Sequence, residues 1–434
     1  MIVLLATFMW TISGSFRFAT AVLVDHMRDP VEGFGWAYAW IAVGYSIQWV
    51  ISAFASPVMG WLGERYGIRR MLVFGAVLFV LGMVLSGYMT QIWQFYLFFG
   101  FLLGIAMTVF QVPLVSSVTT WFKTNLGAAV GGMQAVQSLG TILLLPVVAL
   151  LFSSYGFSWT FWIPGIIGGV LLLTMIPFYF DDPSKAKMRP YGAAPEEPVV
   201  PRQRDADAKV RNQVFFAQAR RTSAFWNLIG IHFWACMGHN IFIVFLLPWA
   251  IDQGISGASA VAIFTVMQVF SMLSRFAVPI LADRVGARAM MRLCFCLQVL
   301  PCILLLVSQD PWSFYLFAAL FGIGMGGEVP LFPIINRQYF GTAPIGSVYG
   351  WEMFGNGWGM ALGPIFGGLM MDWVGFEAAV LLSMAFSLAA VVSAVLLPNT
   401  NKVLTPDWED LLPQSEPQSG VAPPSPSPAP SSGD

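Results

Sequence analysis

The chain has 434 residues, of which 57% are apolar and 10% charged, with 37 Phe, 17 Trp and a formal net charge of −1. So much apolar surface for so few charges excludes an ordinary water-soluble domain. A near-neutral balance with no basic–aromatic cluster gives no sign of nucleic acid as a partner.

A helix rises about 1.5 Å per residue, so roughly 20 apolar residues cross a ~30 Å hydrocarbon layer. Twelve stretches meet that length, near 2–24, 37–61, 71–89, 93–121, 126–152, 159–180, 224–250, 258–282, 289–308, 312–338, 345–371 and 376–397. The expected fold class is an all-α membrane protein of 12 transmembrane helices in two pseudo-symmetric six-helix bundles. The bundles are residues 1–180 and 223–398, joined by a linker at 181–222 and followed by a tail at 399–434.

Charge sets the expected orientation. With the N-terminus inside, Arg65, Arg69, Arg70, Lys123, Arg284, Arg288, Arg292, Arg337, Lys402 and every cation of the linker are cytoplasmic. The outer loops then hold one cation, Arg28, beside Asp25, Asp29, Glu32, Asp252, Asp310, Asp372 and Glu377. This is the positive-inside bias of a multi-pass protein of the cell membrane with both termini cytoplasmic.

The linker opens on a proline-rich run and becomes charged and helix-compatible up to Arg220-Arg221, which suits the anionic inner face of a membrane. The tail is rich in Pro and Ser and is expected to be disordered. Met1 leads straight into spanning sequence without a basic n-region, and further spans follow, so this is no signal peptide; a start that omits a short basic lead is the alternative. Cys236, Cys294, Cys296 and Cys302 contain no C-x-x-C pair and read as buried apolar filler, with no metal or cofactor expected.

One charged turn occurs twice. Gly60-Trp-Leu-Gly-Glu64-Arg65-Tyr-Gly67-Ile-Arg69-Arg70 follows the second stretch, and Pro279-Ile-Leu-Ala-Asp283-Arg284-Val-Gly286-Ala-Arg288 follows the eighth. Equivalent placement in each half indicates a duplicated six-helix unit, as in transporters that rock about a central site. The turn resembles the cytoplasmic loop signature of the major facilitator superfamily. That resemblance implies that Glu64 holds the inner face shut near the start of span 11, with Asp283 in the mirrored part at span 5. Arg65, Arg69, Arg284 and Arg288, with Gly60, Gly67 and Gly286, complete this candidate latch. Softer motifs are similar to the bacterial branch of monocarboxylate and oxalate–formate carriers: Trp121-Phe122 leading to Gly127-Ala-Ala-Val-Gly131-Gly132, Ser274-Arg275, Gly322-Ile-Gly-Met-Gly-Gly327 and Tyr339-Phe340-Gly341. Span 4 has Phe99-Gly100-Phe101-Leu102 where many proton-coupled members carry an arginine.

Charges at membrane depth cost about 2.5–3.5 kcal/mol each on insertion scales, so each one needs a reason. Arg17, Arg275, Glu328 and Glu352 qualify, joined by His232 and His239, seven residues apart on one helix face. The resemblance places spans 1, 4, 7 and 10 around the cavity, so Arg17, His239 and Glu328 would face the pathway. A guanidinium is a permanent cation whose planar fork fits a carboxylate. Arg17 and Arg275 therefore lead the candidate substrate ligands, with His239, Gln111 and Asn240 beside them. Glu328 and His239 are the candidates for proton coupling. By resemblance, Arg275 occupies the place of a substrate-binding arginine, with Ser271 where an acid usually stands one turn earlier. The competing reading pairs Arg275 permanently with Glu328 or Glu352.

The expected function is alternating-access transport of a small organic anion, a monocarboxylate, by proton symport or anion exchange. Its partners are the small-molecule substrate and membrane lipids, with the carrier working as a monomer. Efflux of lipophilic cations or drugs by proton antiport is the alternative. No G-x-x-x-x-G-K-(S/T) string marks an ATP site. Two rival classes are a ligand-sensing receptor and an intramembrane protease, the latter suggested by Gly254-Ile-Ser256-Gly257, which is expected in a short outer loop.

Overall fold

The computed structural model describes the chain apart from residues 17–22, 24–25, 28, 32, 37, 195–204, 309, 342, 401 and 413–434. Arg17 lies outside the described residues. Twelve helical units follow one another: α1 Ile2–Gly14, α2 Tyr38–Tyr66, α3 Ile68–Gly87, α4 Ile92–Trp121, α5 Leu126–Tyr155 and α6 Phe157–Phe178 in the first half. The second half comprises α7 Ser223–Asp252, α8 Gly257–Val285, α9 Ala287–Val307, α10 Pro311–Phe340, α11 Gly346–Trp373 and α12 Phe376–Leu396. Nine of these helices are long and apolar enough to cross a membrane among the described residues. The other three are α1, of which 13 residues are described as helix, and α2 and α11, which are long but more polar.

Proline and glycine shape the rods. A proline removes one intrahelical hydrogen bond, and it stands inside α2 (Pro57), α4 (Pro113), α5 (Pro146), α6 (Pro164), α7 (Pro248), α8 (Pro279) and α11 (Pro364). α10 is interrupted at Val329-Pro330, and α4 contains a π-helical stretch at Tyr96–Leu102. Gln48 of α2 donates to the Phe99 carbonyl of that stretch at 3.1 Å. The stretch coincides with the place where the sequence has no arginine.

The repeated turn takes the same shape in both halves. Gly67 and Gly286 have φ of 87° and 99°, and a Cβ at either would meet nothing within 4 Å. Backbone conformation, and not space, therefore requires glycine there. The arginine beyond each turn binds the end of a later helix in its own half. Arg69 donates to the Tyr179 carbonyl (2.6 Å) and the Pro177 carbonyl (2.5 Å) at the end of α6. Arg288 and Arg292 donate to Val395, and Arg292 also to Ala394, at the end of α12. A cation at a helix C-terminus satisfies orphan carbonyls and complements the dipole.

The linker and tail pack together beneath the bundles. A linker helix, Asp205–Ala219, buries Phe215 against the rings of Phe340 (5.5 Å) and Trp408 (5.2 Å). Arg211 lies over the Trp408 ring at 4.9 Å and pairs with Glu409. The stretch 402–412 thus departs from the expected disorder. Trp408, only 6% exposed, anchors it, and the Leu404 amide donates to the Tyr339 carbonyl at 2.8 Å. Proline and serine content hid these two apolar anchors.

Candidate functional site

The two halves meet along two helix pairs related by the repeat. On one side α2 crosses α11: a Cβ on Gly60 would stand 2.3 Å from the Gly346 carbonyl oxygen, and one on Gly350 would stand 2.5 Å from that of Ser56. On the other, α5 crosses α8: a Cβ on Gly127 would stand 2.0 Å from the Pro279 oxygen, and one on Gly131 would stand 2.7 Å from that of Arg275. Backbones approach this closely only at glycine.

Each crossing carries, at its linker-side end, an acid hydrogen-bonded to a helix N-terminus. The Glu64 carboxylate accepts from the Ser347 amide (2.9 Å) and the Ser347 hydroxyl (2.5 Å), at the start of α11. The Asp283 carboxylate accepts from the Gly127 amide at 3.1 Å and 3.2 Å, at the start of α5. Free amides and the helix dipole make a helix start a natural seat for a carboxylate. A third link, unmarked by the repeat, is Arg337 of α10. It donates to Thr119 of α4 at 2.8 Å while holding the Gly341 and Ala343 carbonyls. Arg65 instead stacks on Trp61 and Tyr66. Arg284 is exposed on the turn, one residue beyond Asp283.

The polar groups at depth gather in the second half. Glu328 is fully buried at the broken end of α10, and its Oε2 accepts from Gln298 of α9 at 2.6 Å. His239 of α7 brings Nδ1 within 3.1 Å of Glu328 Oε1, but off the line of a hydrogen bond, so both atoms stay without a hydrogen-bond partner. Cys236, one turn earlier on α7, accepts from Asn356 of α11 at 3.1 Å, and Asn356 also faces His232 Nε2 at 3.1 Å. His232 stacks on Phe332, with ring centroids 3.8 Å apart. Glu352 accepts from Asn336 at 3.0 Å.

Arg275 stands beside this cluster. No ion pair joins it to Glu328 or Glu352 among the described residues, and its Nε is buried without a hydrogen-bond partner. Glu328 is met by Gln298 and His239, and Glu352 by Asn336, while Arg275 is half-buried within electrostatic reach of Glu328.

Two further candidates have protein partners. Asn240 donates to the Met360 carbonyl at 2.5 Å. Pro364, four residues on, has no N–H to offer that oxygen, so Asn240 replaces the missing helix bond. Gln111 of α4 reaches the Met353 sulfur of α11 at 3.5 Å, a contact between the halves. Ser256 of the G-x-S-G string caps α8 by accepting from the Ser259 amide. Sequence reasoning passed over Gln298, Asn336 and Asn356; a neutral amide at membrane depth was the available signal.

The model of the Major Facilitator Superfamily matches residues 2–291 and 232–423. Monocarboxylate transporter 2 of Homo sapiens is 26% identical over 377 residues, covering 84% of this chain and 78% of that protein. The oxalate:formate antiporter of Oxalobacter formigenes is 23% identical over 350 residues, covering 78% and 80%. The solved structure of the proton:xylose symporter XylE bound to 6-bromo-6-deoxy-D-glucose superimposes with a TM-score of 0.68. At 15% identity, covering 95% of this chain and 98% of that one, it is a likeness of fold. The chain belongs to the major facilitator superfamily. Within it, the relatives are carriers of the monocarboxylate and oxalate–formate kind, the branch its softer motifs resemble.

Proposed function

We propose that this chain is a secondary carrier that moves a small monocarboxylate by alternating access, with both termini on the cytoplasmic side. Arg275 carries the reading: a permanent cation at membrane depth, unpaired among the described residues and with Nε unpartnered, beside a buried polar cluster. A carboxylate supplies the acceptor that its fork lacks. The names of the relatives support the same substrate class. In this reading Arg17 contributes the matching cation from the first half. Glu64 and Asp283 hold the linker side shut, and movement of the substrate requires both seats to release.

The test is uptake of radiolabelled short monocarboxylates into proteoliposomes, with and without a proton gradient. A charged hydrogen bond is worth about 1.5–3 kcal/mol, so Arg275→Lys, which keeps charge but loses the fork, should raise KM by roughly tenfold or more. Arg275→Ala should abolish uptake. Uptake that survives Arg275→Ala unchanged rejects the anion reading. Stimulation by an inward proton gradient separates symport from exchange. The unpartnered carboxylate oxygens of Glu328 and Glu352 favour a second reading, efflux of lipophilic cations. That activity would persist in Arg275→Ala and fall in Glu328→Gln.

A further inference from the structure

Cys236 Sγ, His239 Nδ1 or Nε2 and a Glu328 carboxylate oxygen lie within 4.8 Å of one another, all three residues buried. We propose that these three side chains form a site for a borderline-soft divalent cation of the zinc type, pinning α7 to α10. The site goes beyond the transport reading and does not depend on it.

The donor set matches that ion: a thiolate sulfur, an imidazole nitrogen and a carboxylate oxygen are its ordinary protein ligands. The sequence supplies two of them at one helical turn, Cys236 and His239 on the same face of α7, and the fold brings the third from α10. Zinc–ligand lengths of about 2.0–2.3 Å put tetrahedral ligand atoms roughly 3.3–3.6 Å apart. His239 Nδ1 and Glu328 Oε1 already stand 3.1 Å apart, so assembling the set takes a side-chain adjustment on the order of an ångström.

Two observations point to a cation and not to a satisfied core. His239 Nδ1 and Glu328 Oε1 stand 3.1 Å apart as a buried pair that no hydrogen bond closes, although buried polar atoms are nearly always hydrogen-bonded. The outer partners that orient metal ligands are present as well. Gln298 holds the other oxygen of Glu328 at 2.6 Å, and Asn356 donates to the Cys236 sulfur at 3.1 Å. Charge also balances, because Cys236 loses its proton on binding and, with ionised Glu328, offsets the two positive charges of the ion. Three protein ligands leave a fourth position for water.

Cadmium is the probe, because a thiolate–cadmium bond gives an ultraviolet charge-transfer band that needs no transport activity. Purified full-length protein should bind one equivalent, with the band appearing in step. The band should persist in a variant carrying Cys294→Ser, Cys296→Ser and Cys302→Ser, and vanish in Cys236→Ser. Glu328→Gln, which keeps the shape but not the charge, should weaken binding by on the order of tenfold or more. Unliganded melting temperature identifies any variant that has not folded. Absence of the band in folded wild-type protein, or its survival in folded Cys236→Ser, overturns the site. Neither result bears on whether the protein moves a carboxylate.

Discussion

Gly60→Ala should open the linker side of the molecule. The added Cβ would stand 2.3 Å from the Gly346 carbonyl oxygen, whereas ordinary contact begins at 3.4 Å, so α2 and α11 must part by about an ångström there. The neighbour is backbone, and no rotamer change can relieve the clash. Overpacking of this kind costs about 1–3 kcal/mol. The Glu64 bonds to Ser347, one turn further along α2, stretch with it. Because these contacts join one half to the other, the penalty falls on the state closed at the linker side. Its ratio to the open state should shift by roughly 5- to 150-fold. The assay is pulsed electron–electron resonance between spin labels at Tyr66 and Val285, exposed positions on the repeated turns of the two halves. The longer-distance population should grow in Gly60→Ala. It should stay at the parental level in Gly230→Ala, where a Cβ meets nothing within 4 Å. A parental distance distribution in Gly60→Ala would refute the steric reasoning.

Asn240→Leu removes the side-chain donor that, among the described residues, serves the Met360 carbonyl, which Pro364 has already deprived of its helical partner. The variant should lose about 1–3 kcal/mol, read as a lower melting temperature in detergent, with the KM of the surviving protein unchanged. A changed KM at unchanged stability would make Asn240 a substrate ligand instead. At the linker–tail contact, packing should outweigh charge. Trp408→Ala empties a buried aromatic seat against Phe215 and should cost about 3 kcal/mol by denaturant titration. Glu409→Ala should cost under about 1 kcal/mol, because Glu409 is 54% exposed and its pair with Arg211 is screened. Glu64→Gln and Asp283→Asn keep the shape of each seat while removing its charge. Each should raise accessibility at the linker side, measured as faster alkylation of a cysteine introduced at Thr120, whose hydrogen bonds do not cross between the halves.

The repeated turn made much of the architecture legible in advance. Its glycines suit a tight turn, and the structure adds that Gly67 and Gly286 both have positive φ. Its acids imply partners across the halves, and Glu64 and Asp283 are found on the starts of α11 and α5. Arg337 was read only as a cytoplasmic cation, because no second copy exists to mark its reach to Thr119. The amides Gln298 and Asn356 were missed for another reason. The helix of Asn356 is apolar on nearly every side, so periodicity gives no face there, and at both positions a neutral amide at depth was a weaker signal than a charge. The stretch 402–412 escaped notice because composition averages over a window, whereas Trp408 and Leu404 are enough to seat it.

The sequence by itself determined the order of the apolar rods along the chain, the repeated turn that marks the two halves, and which groups are costly at depth. Each of these depends only on order along the chain and on the energy of moving side chains out of water. The tertiary structure alone decided who meets whom: Glu328 with Gln298 and His239, Asn240 with a carbonyl freed by proline, and Arg275 in no ion pair with Glu328 or Glu352 among the described residues. Those pairings depend on helix rotation and on the depth at which glycines let backbones cross. Neither is written in the pattern of a helix that is apolar all round.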